Sequence, residues 1–244
     1  MKKLTKRLLA ILYYHFYYKY KKLVGNRIIL YHSIGTTLDF DTYGISISKK
    51  RFVEHMKFLI ANYEIIPIDD SYVNELNRNT ISITFDDGFK DNLYALELCE
   101  KYNVPFTLYI TTGFIGKKNY LTKDDIQKIG KSRFCTLGVH SVTHPHLNTL
   151  TYEEQYIELS QSKKTLEEIV GKQITQMSYP HGSYNDDTIK IIEELRYNIV
   201  SSSSIGLNTK ENLDFYKLKR IEIIASDKIS QLKQKIDGYY DYLK

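Results

Sequence analysis

The chain has 244 residues, 42% hydrophobic and 26% charged, a balance that excludes a disordered, collagenous or mucin-like polypeptide and suits one large domain or two small ones. Its two cysteines, Cys99 and Cys135, form neither a disulfide framework nor a zinc motif and read as small buried apolar residues. The net charge of +5 is unevenly placed: residues 1–27 carry eight Lys and Arg and no Asp or Glu, which leaves the rest of the chain at −3. A nucleic-acid footprint would spread basic side chains over a folded face, so no nucleic-acid partner is expected.

In chain order, residues 1–26 come first as a separate basic, aromatic segment. Its eleven uncharged residues, Leu8 to Tyr18, lie between Lys2, Lys3, Lys6 and Arg7 on one side and Lys19, Lys21 and Lys22 on the other. Crossing a bilayer takes about 20 apolar residues, and a secretory signal would end in small residues rather than tyrosines. Three readings follow: peripheral attachment to a membrane surface, an atypical export signal that carries the protein to the cell surface, or a helix packed on the domain or a partner.

From Arg27 to Lys244 short apolar runs alternate with amphipathic stretches, without a linker or repeat. Strands are expected at Ile28–Tyr31, Glu64–Ile68, Ile81–Phe85, Val104–Thr111, Thr136–His140, Ile174–Tyr179, Asn198–Ser201 and Arg220–Ile224. Helices are expected after Ser48, over Phe89–Lys101, Thr122–Ile129, Thr151–Val170 and Asn185–Leu195, and from Ser226 onward. Repeated strand–helix units predict an α/β domain with a parallel sheet, open or closed into a barrel, whose chemistry collects at the C-terminal strand ends.

Four polar segments sit at such ends. In Thr84-Phe85-Asp86-Asp87-Gly88 two adjacent carboxylates follow a buried strand; a metal ion would relieve their repulsion, one aspartate ligating it and the other serving as base, whereas a plain helix N-terminus would also favour Asp. His140-Ser141-Val142-Thr143-His144-Pro145-His146 offers two histidines four apart, and Pro145 places them on a loop rather than a helix. Two histidines and one carboxylate leave a metal an open position; His146 reads as a surface or supporting residue. Met177-Ser178-Tyr179-Pro180-His181-Gly182 describes a tight turn able to aim a backbone N–H at an oxyanion, or a simple strand-to-helix connection. Leu30-Tyr31-His32 ends the first strand, with His32 either functional or a core histidine.

The first three of these segments, in this order, resemble the motifs of the polysaccharide deacetylase (NodB-homology) family, carbohydrate esterase family 4, over roughly residues 27 to 224. The resemblance implies a distorted (β/α) barrel and a metal-dependent hydrolase that removes N- or O-acetyl groups from sugars. By position, Asp86 matches the catalytic base, and Asp87, His140 and His144 match the metal ligands. Tyr179, Pro180 and His181 match the oxyanion and substrate-binding turn, with the His181 N–H as oxyanion donor. The ion is expected to be Zn²⁺, with Co²⁺, Ni²⁺ or Fe²⁺ as alternatives. Two departures stand out. The third motif has Ser178 where many relatives have an Arg that holds the base, a charge that Arg220 could supply. The late Leu-x-His motif is missing, yet Leu30-Tyr31-His32 has that pattern, resembling the circularly permuted poly-N-acetylglucosamine deacetylases. His32 is therefore expected as general acid, with His181 as its competitor. The expected substrate is an acetylated polysaccharide or lipid-linked sugar precursor of a bacterium. The alternatives are hydrolysis of another amide, such as a formamide or cyclic imide, and a catalytically inactive glycan-binding protein.

Overall fold

A computed structural model of the chain describes residues 2–243, with side chains from Thr5 onward. Met1 and Lys244, the outer bounds of the two expected segments, lie outside the described residues. The helix α1 (Lys2–Phe16) is followed by β1 (Asn26–Tyr31), the short pair β2 (Ser33–Ile34) and β3 (Ser46–Ile47), α2 (Lys49–Asn62), β4 (Glu64–Ile65) and β5 (Thr80–Phe85). Next come α3 (Asn92–Tyr102), β6 (Phe106–Ile110), α4 (Lys123–Ile129), β7 (Cys135–Val139), α5 (Tyr152–Val170) and β8 (Gln176–Ser178). The chain ends with α6 (Asp186–Glu194), β9 (Ile199–Ser201), β10 (Arg220–Glu222) and α7 (Ile229–Ile236).

The helices begin where local chemistry starts them. Ser48 accepts from the Arg51 N–H, and Thr122, Thr151 and Asn185 each form a reciprocal capping box with the residue three further on. Expected and observed elements agree closely, with two instructive differences. The fourth strand ends at Ile65 rather than Ile68: the Ile66 N–H still reaches the Ile81 carbonyl, but Pro67 has no N–H with which to continue the ladder. The third helix starts at Asn92 rather than Phe89, because Phe89 bridges to Tyr120 and the Lys90 N–H donates to Asn119.

All pairings in the main sheet are parallel, in the order β10-β1-β5-β6-β7-β8-β9, with β4 beside the start of β5. The two edges almost meet: Ser201 bridges to Leu218, just before β10, and the Ser202 N–H donates to the Leu218 carbonyl. The result is the nearly closed, distorted α/β barrel expected from the motifs. Every residue of β1 and β5 is buried, as strands covered on both faces must be.

One face of these strands packs under the helices in the main core, where Ile29, Tyr31, Ile83 and Phe85 meet Phe52, Met56 and Leu96. The other face carries polar groups that satisfy one another inside the barrel. Asn26 donates to Thr80 and Ser82, Tyr72 donates to Asn26, and Tyr109 pairs with Ser201. Cys99 is buried in the core and Cys135 is partly buried; both are free thiols.

Candidate active site

The sheet register places the functional residues at one level. Tyr31 pairs with Phe85, so His32 and Asp86 both lie one residue beyond the ladder, and the Asp86 N–H donates to the Tyr31 carbonyl. The chain then turns sharply through Asp87 (φ 75°) and Gly88 (φ 79°). Gly88 is needed for a second reason, since a Cβ there would press on Ile110 at 3.3 Å. Ser141, His144 and His181 also have positive φ, so four of the eight non-glycine residues of that kind among the described residues lie at this site. Backbone strain collects where function needs side chains held in unusual directions.

The histidine loop is held from below. Glu158 on α5 accepts from the Val142 and Thr143 N–H groups and from the Thr143 hydroxyl, and Ser162 donates to the Ser141 carbonyl. The Ser141 hydroxyl in turn accepts from the His144 N–H. His140 Nδ1 lies 2.9 Å from the Ser178 carbonyl and 2.6 Å from its hydroxyl. A proton on Nδ1 bonded to that carbonyl leaves the Nε2 lone pair facing the site, the outer contact typical of a metal-binding imidazole.

Asp87 Oδ1 then stands 3.6 Å from His140 Nε2 and 3.4 Å from His144 Nε2, and the two ring nitrogens are 3.1 Å apart. Ligand atoms about 2.0–2.1 Å from a tetrahedral ion are roughly 3.3 Å from one another, so the trio has the spacing of three ligands with a fourth position open. Two nitrogens and one carboxylate suit a borderline divalent ion. Burial, followed by repulsion from His140 and His181, pushes the His144 imidazole down to about 3, which keeps it neutral and its lone pair available. The donor set therefore fits the divalent metal that the motif pattern implies.

Asp86 is treated differently. It is 2% exposed, and the Arg220 guanidinium grips both of its oxygens, Nη1 to Oδ1 at 2.7 Å and Nη2 to Oδ2 at 2.8 Å. Arg220 is itself fixed by donation from Nε to the Ser202 carbonyl and from Nη1 to the Thr84 hydroxyl. Burial alone would raise the Asp86 pKa, but the Arg220 charge, then that of His140, outweighs it and holds the carboxyl at about 2. Asp86 Oδ2 remains 3.8 Å from His140 Nε2, beside the metal-spaced trio without belonging to it.

The other expected residues surround this centre. His32 has its carbonyl held by the Asn92 side chain and its Nδ1 at 3.8 Å from Glu222 Oε1 on β10. The His181 ring meets that of His144 at 4.3 Å and stacks on His146 at 4.0 Å, so the third histidine of the loop supports the turn. Tyr179 and Pro180 are buried; the Tyr179 hydroxyl donates to the Tyr216 carbonyl and its ring stacks on Tyr184, so these side chains brace the turn from within. Sequence reading missed Glu158 and Ser162, which carry no signal beyond lying on a long helix. Ser178 did carry one, as the residue standing where many relatives have Arg.

A parallel α/β barrel with an Asp-His-His trio and a buried, arginine-bound aspartate at the C-terminal strand ends defines a class of hydrolase site. Residues 73–200 match the model of the family described as polysaccharide deacetylase. YxkH of Bacillus subtilis, assigned to the same family, is 30% identical over 203 residues, 80% of this chain and 70% of that protein. The chain belongs to the polysaccharide deacetylase family. It is also similar to the poly-beta-1,6-N-acetyl-D-glucosamine N-deacetylase of Staphylococcus aureus, with 26% identity over 179 residues that cover 67% of this chain and 61% of that protein. Among solved structures, the polysaccharide deacetylase BC0361 of Bacillus cereus superposes with a TM-score of 0.76 at 26% identity, covering 87% of this chain and 69% of that one. His32 and Arg220 lie outside the stretch that matches the family model.

Proposed function

We propose that the protein is a metal-dependent hydrolase that removes acetyl groups, N-acetyl first among them, from an acetylated polysaccharide. The observation that carries this reading is the pairing of the Asp87, His140 and His144 trio with the Asp86–Arg220 ion pair 3.8 Å away. Family membership and the likeness to an N-deacetylase of a glucosamine polymer support it.

Asp87, His140 and His144 would hold the ion, which when bound would supply Lewis acidity toward the acetyl carbonyl and toward a water molecule. Asp86, ionised throughout the working pH range, takes the water proton on a carboxylate oxygen. Arg220 keeps that oxygen aimed, since its two-pronged grip leaves the carboxylate no rotational freedom. The backbone N–H of His181 donates to the oxyanion formed on the former carbonyl. His32 gives a proton to the leaving amine, which departs poorly as an anion. Glu222 faces His32 Nδ1 at 3.8 Å, on the side of the ring toward β10.

The test is acetate release from N-acetylglucosamine oligomers by protein stripped with chelator and resupplied with Zn²⁺, Co²⁺ or Ni²⁺. Metal-restored acetate that disappears in Asp86→Asn is the expected result. A folded, metal-loaded protein that releases no acetate from these oligomers or from an acetylated ester would overturn the reading.

A further inference from the structure

The opposite end of the barrel carries a surface that hydrolysis does not use. Of the fourteen large hydrophobic side chains exposed among the described residues, eight lie between Leu8 and Val24. In α1 they form a stripe: Leu8, Leu9, Leu12 and Phe16, 44–78% exposed, fall within about 100° of arc at 100° per residue. The opposite side of the helix is docked on the domain. Ala10 is buried, Tyr14 stacks on Tyr239 at 3.8 Å, Tyr13 meets Tyr242, and the Tyr242 hydroxyl donates to the Lys6 carbonyl. Just beyond the helix, the Tyr18 hydroxyl accepts from Arg27 of β1, which also donates to both oxygens of the buried Asp241.

This docking fixes where the stripe lies. Arg27 is the second residue of β1 and His32 follows its last, so the anchor sits about 16 Å from the site along the strand, at the far end of the barrel. Lys6, Arg7, Lys19, Lys21 and Lys22 are exposed at the two ends of the stripe, with no acidic residue among positions 1–27. No helix among the described residues is long and apolar enough to cross a membrane. An apolar stripe of this size between two cationic clusters complements one kind of partner, an anionic bilayer surface: the side chains enter the acyl boundary while Lys and Arg meet headgroup charge.

We propose that α1 lies in the surface of an anionic bilayer while its other face holds the barrel, with the mouth of the site turned away from the lipid. Given the deacetylase reading, this arrangement favours a polymer that reaches the enzyme from the aqueous side over a sugar still attached at the bilayer surface. Lipid binding is read without hydrolysis, so failure of one reading leaves the other standing.

The chain contains no Trp, which permits clean single-Trp reporters. Full-length Phe16→Trp and Tyr43→Trp, the latter on the exposed loop after His32, are mixed with vesicles of phosphatidylglycerol and phosphatidylcholine carrying brominated acyl chains. The expected result is a blue shift and quenching by more than about half for Phe16→Trp and no change for Tyr43→Trp. The double variant Leu9→Glu, Leu12→Glu should partition at least about tenfold more weakly and release acetate in solution at the parent rate. Unquenched Phe16→Trp, or equal binding to pure phosphatidylcholine, would overturn the lipid surface as partner. Quenching at Tyr43→Trp would overturn the orientation.

Discussion

The two flanks of the site differ in how completely the protein satisfies them. On the side of Asp87, His140 and His144, Ser178 occupies the back of the first imidazole, Glu158 and Ser162 hold the loop, and strained backbone fixes the donors. On the side of His32, the ring's Nδ1 has no hydrogen-bond partner in the protein and the nearby Glu222 is half exposed. Oδ1 of Asp91, whose other oxygen accepts from the hydroxyl of Ser33, and Oδ1 of Asn92 are likewise buried without a protein partner. Buried polar atoms in native proteins are almost always satisfied, and three of the five without a protein partner among the described residues lie on this flank, the others being Arg27 Nε and Gln176 Oε1. On the proposed reading the first flank holds the ion and the second carries the proton donor for the leaving group.

The largest effect should come from the fixed flank. His140→Ala or His144→Ala should abolish stoichiometric metal, measured by mass spectrometry after gel filtration, and lower turnover by more than about 10³-fold, since the ion's charge stabilisation is worth several kcal/mol. A variant that keeps its metal would remove that residue from the ligand set. Asp86→Asn should instead retain metal and lose about 10²–10⁴-fold in turnover, the usual worth of a positioned base.

His32→Ala probes the open flank. It should keep metal and lose about 10²–10⁴-fold on an amide substrate, with a smaller loss on an acetyl ester whose leaving group needs less protonation. An unchanged rate there, together with a large loss in His181→Ala, would move the proton donor to the other side of the site.

The same flank also rests on an acid-sensitive group that is separate from the site histidines. His55 is fully buried beneath it, its Nδ1 facing the Tyr31 hydroxyl and its Nε2 the Asp227 carbonyl, so it ties β1 to the loop after β10. Burial pushes His55 down from 6.5 to about 4 against the pull of Asp227. The unfolded chain therefore binds the extra proton first. Stability contributed by neutral His55 is complete above pH 6.5 and declines as pH falls toward 4, by about 3 kcal/mol in all. Denaturant titrations of the metal-loaded protein between pH 7.5 and 4.5 should show this slope, and His55→Gln should flatten it. An equal slope in the variant would assign the sensitivity elsewhere.

Much of this was readable because it is local. The Asp-Asp-Gly string, the paired histidines and the helix caps depend on neighbours within a few residues, and the structure places them within one or two positions of expectation. The early end of β4 was also within reach, since Pro67 was visible and a proline lacks the donor a ladder requires. The Arg220 contact was harder: it joins residues 134 apart in sequence across β1, and only the nearly closed sheet brings them together. Glu158 was unreadable, because an acidic residue within a long helix looks the same in sequence whether or not three donors of a neighbouring loop converge on it.

Ser178 lies between these cases, and it offers the finest test of the contrast between flanks. If the fixed flank depends on the support behind its ligands, Ser178→Ala removes only the hydroxyl 2.6 Å from His140 Nδ1 and leaves the carbonyl at 2.9 Å. The ring would keep its tautomer but lose one of two restraints. Metal affinity should weaken by about 10-fold, at the lower end of the range for such supporting contacts, with turnover at saturating metal nearly unchanged. A chelator competition curve separates the two quantities. If turnover falls while affinity holds, Ser178 acts on the reaction itself, and the fixed flank is less complete without substrate than its geometry implies.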